Sequence, residues 1–208
     1  RYSGVNFRAE VSVGSMNRLV KPICELEPVR DCILGASVRG QALASGNVRF
    51  ASHESSDQMR LDIHMAGHIS TNTVGYKKPV KVYTTGSTNY TGIKTLYISD
   101  DQFSATPAHI SARTTNRPPA VKKTGRNFGR RLIEKIAWKK VCEKKRQSER
   151  IASSKAKKKL SRKFDQRVSN ALTEGRSKYV DKLQLPMQRR GFGGDLVQFQ
   201  SAADSVLA

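Results

Sequence analysis

The stretch Met59-Arg60-Leu61-Asp62-Ile63-His64-Met65-Ala66-Gly67-His68-Ile69 opens with a strict alternation. Met59, Leu61, Ile63 and Met65 fall on one side of an extended chain, and Arg60, Asp62, His64 and Ala66 on the other. Period two over that length predicts a strand with one buried face. Working outward, Ile33–Arg39 and Asn47–Ser52 precede it as short strand candidates, and Pro79–Thr84, Gly92–Ser99 and Gln102–Ala108 follow. Ser70-Thr71-Asn72-Thr73, Gly86-Ser87-Thr88-Asn89 and Asp100-Asp101 read as turns between them. About six short strands at this spacing predict an antiparallel β-meander.

The flanks read differently. Ser12 or Ser15 caps a short N-terminal helix carrying Met16, Leu19 and Val20 on one face, and Pro22 stops it. Glu25–Asp31 reads as a proline-containing loop bracketed by Cys24 and Cys32, two thiols that either pair in an oxidising compartment or stay free. Arg113–Gly125, with Pro118-Pro119, reads as a linker. Beyond it Asn127–Leu183 is free of proline and rich in lysine and arginine. On a helical wheel Phe128, Leu132 and Ile136 share a face with Leu160, Phe164, Val168, Leu172, Tyr179 and Leu183. Cys142–Arg150 between them is almost wholly polar. This predicts two amphipathic arms, 127–141 and 156–183, with a break near Ser153-Ser154 or at Gly175. The expected class is α+β: a helix-plus-meander domain over 1–112, a linker over 113–125, a long, interrupted basic helical segment over 126–185 and a flexible tail over 186–208.

Charge is the strongest functional signal. The chain carries 38 Lys+Arg against 17 Asp+Glu, a net +21. Between Arg117 and Arg190 stand 25 of those cations and 6 of the acids, so nearly all the excess lies in the helical half. Nine like-charge pairs at i,i+4 fall between Arg126 and Arg167, against three opposite pairs. At about 0.2–0.5 kcal/mol per pair the segment repels itself by roughly 2–3 kcal/mol. Such a helix gains from an anionic partner: a membrane surface, an acidic protein face or, alternatively, nucleic acid bound without sequence preference. The candidate contacts are Arg130, Arg131, Lys135, Lys139, Lys140, Lys144, Lys145, Arg146, Lys155, Lys157, Lys158, Lys159, Arg162 and Lys163. The lone Arg189–Gly194 run resembles an RGG-type segment.

Chemistry-bearing motifs are sparse. No nucleophile elbow, P-loop or zinc-protease signature occurs, no cofactor fingerprint is found, and the reading is non-enzymatic. Asp62, His64 and His68 suggest a metal set, but on a strand residues i and i+4 stand roughly 13 Å apart, too far for one ion. Asn89-Tyr90-Thr91 is a formal glycosylation sequon. The chain opens Arg1-Tyr2-Ser3, which suggests a processed or excised segment. No apolar run reaches the roughly 20 residues of a membrane span.

Val5–Ser12, Asn17-Arg18-Leu19, Pro28–Ala36, Ser55–Leu61, Ser70–Gly75 and Phe164-Asp165-x-x-Val168-x-x-Ala171-Leu172 together resemble a family of large bacterial proteins of unknown role, typically from planctomycetes. That resemblance implies an exported or envelope protein, made with a signal peptide, of which this is one segment. It brings no activity with it. The order of short helix, meander and long amphipathic helix is similar to the tubular lipid-binding (TULIP-like) architecture, in which a curved sheet wraps a helix around an apolar groove. On that likeness Met59, Leu61, Ile63 and Met65 are the candidate groove residues, the two methionines suiting an irregular apolar ligand.

Overall fold

The alternating stretch is only the first half of its strand. A computed structural model describes residues 8–125, 129–191 and 198–207. After a short strand β1 (Glu10–Ser12) and helix α1 (Val13–Leu19) come four long strands, β2 (Ile23–Ile33), β3 (Ala36–His53), β4 (Met59–Lys77) and β5 (Val80–Ile98). A short β6 (Phe103–Ala105) and the longer β7 (His109–Lys123) complete an antiparallel six-stranded sheet. Its order is β2-β3-β4-β5, and the far edge of β5 is shared, Leu96–Ile98 pairing with β6 and Val80–Ile93 with β7. At about 3.3 Å per residue β4 and β5 extend roughly 60 Å, and strands of that length coil with the sheet's twist. The sheet is curled.

Several expectations are corrected here. Ser70–Thr73 and Gly86–Asn89 are not turns but mid-strand residues, and they face one another: Ser70 pairs with Ser87 and Thr71 with Gly86. The supposed loop Glu25–Asp31 lies within β2, an edge strand, where Pro28 is tolerated because one edge needs no ladder partner. Cys24 and Cys32 therefore sit eight residues apart on one extended strand, about 26 Å, and both thiols are free. The supposed linker Arg113–Gly125 is mostly β7, with Pro118-Pro119 accommodated by a bulge between the Tyr83 and Thr85 pairs. The β2–β3 hairpin turns on Leu34-Gly35, both at positive φ (52° and 74°), a turn without the usual Asn or Asp. Ser12 does cap α1, accepting from the Ser15 amide at 3.2 Å.

The helical half is α2 (Arg130–Glu143), α3 (Lys145–Tyr179), a π-helical turn (Val180–Gln184) and α4 (Leu185–Arg189). The break falls at Lys144, inside the polar middle, rather than at Ser153-Ser154 or Gly175. Pro186, which has no amide hydrogen to donate, sits just past the π turn, where the chain re-registers. Of the part expected to be a loose tail, α4, β8 (Gln200–Ser201) and β9 (Ser205–Leu207) are ordered, the two strands joining β1 in a small second sheet. That sheet is held to the main one by the Ser55–Ser201 bridge and by Ser52 Oγ donating to the Ala203 carbonyl at 2.7 Å. Phe128 and Phe192–Gly194 lie outside the described residues.

Helices α2 and α3 run antiparallel to β7 and cap its free edge. Backbone amides of Lys123, Asn116, Thr114 and Ala108 donate to Glu134 (2.9 Å), Glu149 (2.8 Å), Ser153 (2.9 Å) and Asp165 (2.9 Å). An edge strand left bare invites intermolecular pairing, so helix side chains here take the place of a further strand. At the chain-start end of β4 the layer is filled. Leu61, Ile63, Met65, Tyr90, Leu96 and Ile110 from the sheet meet Phe164 and Val168 of α3. Tyr90 lies across Gly46 and Gly67, where an added Cβ would come within 2.4 Å of its hydroxyl oxygen, and that hydroxyl donates to the Ser45 carbonyl at 3.2 Å.

Candidate ligand-binding cavity

Following the inward face of β4 from Met65 toward Lys77, the residues become Gly67, Ile69, Thr71, Thr73 and Gly75. On β3 the inward positions are Val38, Gly40, Ala42, Ala44 and Gly46, and on β5 they are Val82, Thr84 and Gly86. Side chains this small do not reach the helices. The result is a cavity of about 1140 Å³ between the curled sheet and α2–α3, roofed by Ala137, Val141, Ala152, Ala156 and Leu160. Its walls are predominantly apolar, and it is at or above the roughly 300–1,000 Å³ of usual small-molecule sites.

The sequence placed the groove on Met59, Leu61, Ile63 and Met65. Ile63 and Met65 do line the cavity, at its closed end, whereas Leu61 is core and Met59 packs against that core. The space itself lies farther along the same strand, over residues that carry no hydrophobic alternation.

The side of the cavity opposite β7 is closed by charge. On β2, Glu25, Glu27 and Asp31 point inward at strand period two; on α3, Lys155, Lys159, Lys163 and Arg167 recur every fourth residue. Six strand residues cover about 20 Å and twelve helix residues about 18 Å, so the two rows stay in step. Asp31 pairs with Lys155, Glu27 with Lys159 at 2.8 Å and with Lys163, and Glu25 with Arg167 and with Lys163 at 3.4 Å. The Arg167 guanidinium hydrogen bond and charge, with Lys163 beside it, outweigh partial burial and hold the Glu25 carboxyl below the usual range. Partly exposed pairs contribute about 0.2–1 kcal/mol each. Four cations so matched offset the roughly 1 kcal/mol of repulsion among their three i,i+4 neighbours. Part of the anionic partner that the basic helix calls for is thus the chain's own β2.

The predicted basic contacts therefore divide. Lys155, Lys159 and Lys163 are in the ladder to β2, while Arg130 and Lys145 pair with Glu134 (3.0 Å) and Glu149 (3.9 Å). Lys140 and Lys144 line the cavity. Arg131, Lys135, Lys139, Arg146, Lys157, Lys158 and Arg162 are exposed and, among the described residues, form no ion pair. The apolar stripe is corrected for α2: Leu132 and Ile136 are 63 % and 48 % exposed, and the helix instead turns Ala137 and Val141 inward. For α3 the stripe holds, Phe164, Val168 and Tyr179 being buried, but it fails at Leu183 in the π turn, which is half exposed.

Two further polar groups fasten the filled end. Lys94, only 6 % exposed, donates to the Asp165 carboxylate at 2.5 Å and to the Thr106 carbonyl at 2.6 Å. Burial opposes ionisation of Asp165, but the Lys94 and Ala108 hydrogen bonds prevail and keep its pKa low. On the outer face of β4, Asp62 accepts from Thr95 Oγ1 at 2.6 Å and meets His53 Nε2 at 2.7 Å; those bonds likewise overcome burial and keep it ionised. His68 bonds to Asn89 Oδ1 (2.8 Å) and lies 3.1 Å from Ser70 Oγ, and His64 is exposed. Asp62, His64 and His68 thus have separate surroundings, and among the described residues no three His, Cys, Asp or Glu side chains gather around a point that a metal ion would occupy. The Thr95 hydroxyl beside the Asp62–His53 pair is donated to the aspartate.

Glu25, Glu27, Asp31, Ala137 and Val141 were missed by sequence reasoning. The acid row is visible at spacing two and the base row at spacing four, but only a strand reading of Glu25–Asp31 joins them. The chain matches no protein-family model, no curated protein and no solved structure.

Proposed function

We propose that this protein is a non-enzymatic binding module that takes a lipid-like apolar chain into the sheet–helix cavity and associates with anionic surfaces through the outer face of α2 and α3. The cavity carries the reading. An apolar space of about 1140 Å³ that opens to solvent leaves its lining in contact with water, a cost that an apolar ligand removes. The outer face supplies the second half: exposed Arg131, Lys135, Lys139, Lys157, Lys158 and Arg162, with Leu132 and Ile136 exposed among the first three. Cations flanking exposed aliphatic side chains on a helix suit the interface of an anionic bilayer. An envelope or exported setting, implied by the resemblance described above, is where we place this activity.

Native mass spectrometry after gentle extraction, together with titration of the neutral apolar dye N-phenyl-1-naphthylamine, tests the cavity. The expected result is co-purifying lipid mass and saturable dye binding that an Ala44→Phe variant abolishes; a ligand-free mass with no dye binding refutes it. Sedimentation with phosphatidylglycerol vesicles, neutral vesicles and duplex DNA tests the surface. Preference for anionic vesicles supports it, and tight duplex binding with a steep salt slope and no vesicle preference replaces it with nonspecific nucleic-acid binding.

A further inference from the structure

The charges that face the cavity are not evenly balanced along it. Beside β2 every inward acid is matched: Glu25, Glu27 and Asp31 against Lys155, Lys159, Lys163 and Arg167. Toward the β2–β3 and β4–β5 turns the balance fails. There Arg30, Lys77, Lys140 and Lys144 line the cavity against Glu143 and an Asp31 already paired with Lys155. Lys77 Nζ donates to the Leu34 carbonyl at 3.1 Å, which fixes the ammonium at the β2–β3 turn and leaves two N–H bonds undirected. Lys140 and Lys144 stand on the α2 side of the helix break, both exposed and, among the described residues, in no ion pair. The lining between this rim and the filled end is small and mostly aliphatic, Val38, Ala42, Ala44, Ile69, Val82 and Val141 with Thr71, Thr73 and Thr84 set among them. A wet, positively charged mouth above an apolar chamber matches one kind of solute, a chain with an acidic head.

Resting on the cavity reading above, we infer that this site selects a single-chain amphiphile bearing a carboxylate or phosphate head, the tail lying along β3–β5 and the head held at Lys77, Lys140 and Lys144. Charge-assisted bonds from ammonium groups to such a head are stronger than those a neutral ester or alcohol accepts. Three rim cations give the head group its selectivity, and the chamber gives the tail its affinity.

The test compares cis-parinaric acid with its methyl ester, two fluorescent chains of equal length that differ in head charge. At low salt the acid is expected to bind at least tenfold more tightly. The triple variant K77Q/K140Q/K144Q is expected to lose that preference while binding the ester as the parent does, which also shows that it is folded. The control K157Q/K158Q/R162Q, on the outer face, keeps the preference. Hexadecyl phosphate and palmitate as competitors then separate the two head chemistries, and displacement by either supports the site. Equal affinity for acid and ester, or a preference that survives the triple variant, overturns the head-group inference while leaving the cavity reading intact. Failure of both probes to bind removes both.

Discussion

The two ends of one sheet–helix layer are built on opposite rules. Around Leu61, Ile63 and Met65 the sheet presents large side chains, α3 answers with Phe164 and Val168, and the space between is full. Fifteen to twenty ångströms farther along the same strands, as about 3.3 Å per residue implies, the sheet presents Gly, Ala, Thr and Val, the helices answer with Ala137, Ala152 and Ala156, and the side chains do not meet. Apolar contact closes the first end. A ladder of ion pairs between β2 and α3 helps close the second. A protein that needs a rigid frame and an accessible chamber in one layer separates them along the strand.

Substitutions at the two ends should behave differently, and the largest difference is expected for truncation. Phe164→Ala should cost about 3–5 kcal/mol, whereas Val82→Ala, facing the chamber rather than packed side chains, should cost about 1 kcal/mol or less. Urea denaturation of both variants measures this; equal losses mean that the chamber is collapsed in solution. Added volume keeps the order. An alanine Cβ at Gly67 would meet the Ser45 carbonyl oxygen and the Tyr90 ring, so Gly67→Ala should cost about 1–3 kcal/mol. At Gly75 the nearest atoms are 3.8–3.9 Å away, and Gly75→Ala should be neutral or stabilise by up to about 1 kcal/mol.

Electrostatic closure makes the second end sensitive to pH and salt. Glu25 is depressed by Arg167 and Lys163, so its contribution is complete above its unfolded pKa of 4.5 and disappears as pH falls through the lower folded value. Melting temperature should therefore fall below about pH 4.5, less so in E25Q/E27Q, and 0.5 M salt at pH 7 should mimic part of that loss. The effect is expected at about 1–3 kcal/mol, and amide exchange should rise along β2 before it rises at Leu61 or Ile63. Exchange rising first at the filled end contradicts the contrast. The smallest change in stability, within about 0.5 kcal/mol, is expected for K157Q/K158Q/R162Q, whose side chains are solvent-exposed. That variant should nonetheless lose binding to anionic vesicles.

The legibility of the sequence follows the same division. Where β4 packs against α3, Met59–Met65 alternates plainly, since alternation records a face buried against something. Where it borders the chamber, Ser70–Thr73 and its partner Gly86–Asn89 show no alternation and read as turns. Pro118-Pro119 hid β7 because a bulge absorbed them, and Leu34-Gly35 hid a hairpin because leucine rarely takes positive φ. The basic helix was conspicuous, but its first partner was not: Glu25, Glu27 and Asp31 look like a polar loop until β2 is drawn through Pro28.

By itself the sequence determined the α+β class, the antiparallel meander, the short capped helix and the basic C-terminal helices, because period and net charge are properties of the chain. The tertiary structure decided where strands continue through polar residues, which cations meet β2 and which, among the described residues, face solvent, and that one layer is filled at one end and hollow at the other. Those outcomes depend on distances between residues far apart in the chain, more than a hundred positions for the β2–α3 ion pairs, which short-range periodicity does not encode.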